Sequence, residues 1–163
     1  MRWTRGVLLG LAALMIFGTG CAASGAIAKP SPEQDKEIVN VEGSCVAVLK
    51  DEGTVLNVTG TANLMDGTNG VISVLSADGT KLDEHRFTQA GGDVEWDFEV
   101  GSDWPAVVYS FISYGTQNMD PQPGEVTAVY GRRFQNLDGP NVIWDTKGVI
   151  AVFQSEEVEI PAG

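Results

Sequence analysis

The chain has few of the residues that build catalytic and metal centres. Of its 163 residues, two are cysteine and one is histidine. Two cysteines exclude a disulfide-dense scaffold, and no Cys/His spacing of the zinc-binding kind occurs. The lone histidine, His85, is a single candidate base for serine–histidine–acid chemistry, and no serine stands in a Gly-x-Ser-x-Gly elbow. Cations are scarce as well: ten Lys and Arg face 22 Asp and Glu, for a formal charge of −12. So acidic a surface repels phosphate backbones, and nucleic acid is not an expected partner. Membrane attachment, for the same reason, is expected to gain no help from a basic patch. No cofactor and no metal are expected. There is no internal repeat, and no part of the body keeps a helical period.

What is present begins at the N-terminus. Met1-Arg2-Trp3-Thr4-Arg5 is positive, and Gly6 to Phe17 is apolar throughout. A membrane-spanning helix needs roughly twenty apolar residues, so this run has the length of an export signal instead. Gly18-Thr19-Gly20-Cys21 follows. These residues resemble the lipobox of bacterial lipoproteins, with small residues at Thr19 and Gly20 and the cysteine directly after the apolar run. Gly18 departs from the pattern, which usually has an aliphatic residue there. The resemblance implies a lipid on Cys21 and a mature chain that starts at that residue. The alternative is plain secretion after Ala26-Ile27-Ala28, which fits the small-x-small pattern of a general signal peptidase. The expected organisation is a signal peptide over 1–20, a lipid-anchored flexible tether over 21–36 and one domain over 37–163. Ser31-Pro32-Glu33-Gln34 in the tether has the form of a helix start, but supports one or two turns at most.

From Ile38 onward the pattern is that of strands. Val94-Glu95-Trp96-Asp97-Phe98-Glu99-Val100 alternates apolar and acidic residues, giving one dry and one wet face. Val71–Ser76 and Lys81–Gln89 flank Asp78-Gly79, a hairpin signal. Ala106–Tyr114 is apolar on both faces and is expected to be central. Cys45–Leu49, Val55–Thr61, Glu125–Tyr130, Val142–Trp144, Gly148–Phe153 and Glu157–Ile160 are further strands. Short strands between Gly/Pro turns predict an all-β fold, an antiparallel sandwich. The order of Leu56–Ala62, the Asp78-Gly79 turn and Val94–Val100 resembles the immunoglobulin-like and fibronectin-III-like modules of bacterial exported proteins. That resemblance implies a fold and no activity.

Each candidate site competes with a plainer explanation. His85 reads as a surface histidine on a strand. Glu95, Asp97 and Glu99 share one strand face about 7 Å apart, the spacing of a solvated sheet surface. Asp66-Gly67-Thr68-Asn69-Gly70 clusters oxygens, but calcium wants six to eight of them and a tight turn explains the residues as well. Cys45, among Val46, Ala47 and Val48, reads as a buried, inert thiol. Asn57-Val58-Thr59 matches a glycosylation acceptor, incidental in a bacterial lipoprotein. The most unusual feature is Tyr130-Gly131-Arg132-Arg133-Phe134, the only adjacent basic pair of the body, set between aromatics. Tyr130, Arg132, Arg133 and Phe134 form the candidate binding surface, extended by Trp104, Tyr114, Met119 and Trp144 if exposed. The expected function is that of a non-enzymatic envelope lipoprotein. It would be a binding or accessory module attached to the membrane through Cys21, with an envelope protein or glycan as partner. The competing reading is an exported hydrolase or calcium-dependent enzyme.

Overall fold

The computed structural model describes residues 27–116 and 121–161. The signal segment, Cys21 and Met119 lie outside the described residues.

Among the described residues there are eleven strands and one short α-helix. A two-residue strand β1 (Val39–Asn40) leads into β2 (Gly43–Lys50), and a 3-10 turn at Asp51–Gly53 returns the chain as β3 (Val55–Ala62). The chain then crosses to a second sheet for the hairpin of β4 (Asn69–Ser76) and β5 (Lys81–Thr88). It comes back for β6 (Asp93–Glu99) and crosses again for β7 (Val107–Gly115). Helix α1 (Gly124–Tyr130) and β8 (Leu137–Asp138) precede β9 (Val142–Trp144), β10 (Val149–Gln154) and β11 (Val158–Glu159). One sheet has the order β2-β3-β6. The other has the order β5-β4-β7-β10-β9, with β11 also on β7. Every pairing in these two sheets is antiparallel. The result is an antiparallel all-β sandwich.

Alternation explains the layers. On β3, Leu56, Val58 and Ala62 are buried, while Thr61 points outward. On β7, Val108, Ile112 and Tyr114 face the same core from the other sheet. At Gly60 the two sheets approach closely. A Cβ there would stand 2.2 Å from Ile112 Cδ1 and 2.4 Å from the Ser44 carbonyl oxygen. At the open edge between β5 and β6, His85 lies flat on Trp96, ring centroids 3.3 Å apart.

Two expectations need correction. Glu125–Tyr130 is a helix, not a strand. Alternation would bury 126, 128 and 130, but Ala128 is exposed and only Val126 and Tyr130, a helical i,i+4 pair, are buried. Gly131 ends the helix at φ 85, a conformation that costs glycine little. The second correction concerns the tether. Residues 27–36 have no strand or helix, yet they are pinned to the body. Lys29 Nζ meets Asp138 Oδ1 at 2.8 Å, the Glu33 amide donates to Asn136 Oδ1 at 2.8 Å, and Trp144 Nε1 donates to the Ile27 carbonyl at 2.9 Å. The helix start at Ser31 becomes a single turn, closed by Lys36 N to Glu33 O. The parallel pairing of β1 with β8 continues this attachment into the domain.

Candidate interaction surface

The segment with the arginine pair is divided by the fold. Tyr130 and Phe134 are buried, and their rings meet edge to face at 5.4 Å. Tyr130 accepts a 2.6 Å bond from the Met65 amide, which fastens α1 to the β3–β4 connection. Burial raises the Tyr130 phenol above its ordinary pKa and keeps it a neutral partner. Phe134 fills the core from a left-handed backbone conformation, φ 56, that few bulky residues adopt. The aromatics therefore form no exposed patch. Tyr114 is core as well, and Trp104 packs against the core at partial exposure.

Arg132 and Arg133 remain exposed. The Arg133 guanidinium donates to the carbonyls of Thr146 and Lys147, closing the β9–β10 turn. The Arg132 amide reaches Glu33 Oε1 at 3.4 Å, and Gln135 Nε2 donates to the same oxygen at 3.0 Å. Lys36 is ion-paired to Glu33 and holds that carboxyl below its usual range. Trp144, 42% exposed, carries Lys29 Nζ 5.9 Å from its ring centroid. The arginine pair, the N-terminal segment and Trp144 thus form one continuous surface. Trp144 is an expected extension of the arginine pair, but the sequence offered no signal that the N-terminal segment joins them, because more than ninety residues separate the two parts.

The acidic row lies where alternation placed it. Asp93, Glu95, Asp97 and Glu99 pair with Thr61, Thr59, Asn57 and Val55 and share the outer face of the three-stranded sheet. Buried Asn57 donates to Glu95 at 2.8 Å and to Asp97 at 2.6 Å, and Lys50 adds contacts at 3.5 and 3.8 Å. An Asn57 side chain so engaged is not offered to a glycosyl donor.

The remaining candidates have structural roles. Asp66 accepts from the Gly91 amide at 2.8 Å, and the Thr68 hydroxyl donates to the Met65 carbonyl at 2.7 Å, so the oxygens of that loop build a turn. Among the described residues, no three His, Cys, Asp or Glu side chains are grouped to hold a metal ion. Burial lowers the His85 pKa and favours the neutral ring stacked on Trp96. Cys45 is buried with Sγ 3.6 Å from the Ser110 carbonyl oxygen, and burial pushes its thiol up to about 12. Among the described residues, no helix is long and apolar enough to cross a membrane. Comparison with protein-family models, curated proteins and solved structures finds no match to the chain.

Proposed function

We propose that the protein is a non-enzymatic envelope lipoprotein, a β-sandwich held on the outer face of a bacterial membrane by lipid on Cys21. It serves there as a binding or accessory module for an envelope protein or glycan. The observation that carries this reading is the N-terminal pattern: two arginines, a dozen apolar residues and Cys21 directly after small residues. Several acyl chains, at about 0.8 kcal/mol per buried methylene, hold a protein at a bilayer without a spanning helix. The strand order supports the likeness to immunoglobulin-like and fibronectin-III-like modules. Counting the main strands, the first, second and fifth form one sheet, and the third, fourth, sixth and β10 lie in the other. Such modules present surfaces and loops on a rigid frame, which suits binding. Intact-mass analysis of the mature chain tests the anchor. The expected result is an N-terminal Cys21 with acyl mass, lost in Cys21→Ser. An unmodified chain that starts beyond Cys21 overturns it.

A further inference from the structure

We infer that the end of the sandwich formed by β9, α1 and the docked N-terminal segment lies against the phospholipid headgroup layer, with the acidic sheet turned away. The inference rests on the anchor at Cys21 proposed above.

Three observations converge. The first is reach. Six residue steps separate Cys21 from Ile27, and an extended chain covers at most roughly 20 Å over that distance. Ile27 is bonded to Trp144, and Lys29 to Asp138. The point of attachment is therefore tied to this end of the molecule. Had the segment been free from Cys21 to Lys36, the body could face the bilayer in any direction.

The second is the distribution of exposed apolar side chains. Ile27, Ile38, Val129 and Trp144 are each more than 40% exposed and belong to this end; of the other large apolar side chains so exposed, Val46 and Val48 lie among the carboxylates of the acidic sheet and Trp96 is covered on one face by His85. Trp144 is amphipathic and flanked by Lys29, a pairing suited to the headgroup level, where tryptophan collects.

The third is charge. Lys29, Lys36, Arg132, Arg133 and Lys147 are gathered here, opposed by Glu33, Asp35, Glu37, Glu125, Asp138 and Asp145. This end is within one charge of balance. The rest of the described chain sets Lys50, Lys81 and Arg86 against fifteen carboxylates. A bilayer with anionic lipid repels that remainder within a Debye length of about 8 Å at physiological salt. Turning the acidic sheet toward the membrane is thus opposed, and turning the nearly neutral end that carries Trp144 toward it is opposed far less.

The full chain, purified from membranes, is reconstituted into vesicles of phosphatidylcholine and phosphatidylglycerol that contain headgroup spin-labelled lipid. Tryptophan quenching is read for the parent, Trp144→Phe and Trp96→Phe. The expected result is quenching that falls by more than half in Trp144→Phe and is unchanged in Trp96→Phe. Arg132→Glu with Lys147→Glu lowers it severalfold with the anchor in place. Circular dichroism on the same samples checks the fold. Quenching that survives Trp144→Phe, or that is removed by Trp96→Phe, overturns the orientation. Intact mass separates the two readings. A lipidated chain without Trp144 quenching loses the orientation and keeps the anchor. An unlipidated chain that still shows Trp144-dependent quenching on added vesicles loses the anchor and keeps the surface. An unlipidated chain with no quenching loses both.

Discussion

The strands from β2 to β7 and the stretch from α1 to β9 contribute to one core by different means. The first region is periodic. Its side chains alternate, its backbone is paired along long ladders, and each strand continues the pattern of its neighbour. The second has one short helix, a two-residue strand and a three-residue strand. It is fastened by individual contacts: Tyr130 to Met65, Arg133 to the β9–β10 turn, Asn136 to residues 33 and 129. Periodic structure spreads its stability over many equivalent positions, whereas the second region concentrates it in a few buried side chains.

Substitutions can break that contrast. The largest effect is expected from Phe134→Ala, which removes a fully buried ring. A loss of about 3–5 kcal/mol in urea-induced unfolding is expected. A loss below about 1 kcal/mol would mean that the second region is dispensable to the core. Next is Gly60→Ala in the periodic region. The added methyl meets Ile112 and the Ser44 carbonyl, and overpacking of that kind costs about 1–3 kcal/mol. The double variant Gly60→Ala/Ile112→Val should recover part of that loss.

Tyr130→Phe keeps the ring and deletes the hydroxyl, so the Met65 amide loses its partner. About 1–2 kcal/mol is expected, read by the same unfolding curve. Asn57→Ala, its counterpart in the ladders, frees Glu95 and Asp97 to repel each other. About 1 kcal/mol is expected, read by the same unfolding curve.

The smallest effect sharpens the contrast without a substitution. Glu33 and Asp138 have pKa values lowered by Lys36 and Lys29. Their contribution is complete above the ordinary carboxylate range and is lost as pH falls through the lowered values. Acid should therefore release residues 27–36 before the sandwich melts, visible as lost hydrogen-exchange protection of the Glu33 amide, which donates to Asn136. Simultaneous loss of segment and sandwich would show that the two are one cooperative unit.

Most strands could be read from the sequence because burial there follows chain period. Val94–Val100 needs only its own alternation to become β6, and Asp78-Gly79 fixes its hairpin locally. Glu125–Tyr130 failed on the same rule. It is rich in β-branched residues, and the contact that selects a helix, Tyr130 with Met65, lies 65 positions away. The expected interaction surface failed in part for a related reason. Tyr130 and Phe134 were grouped with the arginines by adjacency, but the helix end and the left-handed Phe134 turn the rings inward and leave the guanidinium groups outside. The docking of residues 27–36 was invisible, since Lys29, Glu33 and Ile27 meet their partners only after the chain has closed.

Cys45 turns the completed fold into a time stamp. While the sheets are apart, its sulfur ionises near its ordinary value and reacts with oxidants or another chain. Once they close, a thiol pushed up to about 12 and held against the Ser110 carbonyl is chemically silent. A disulfide-linked dimer through Cys45 therefore counts the molecules that met an oxidant before folding finished.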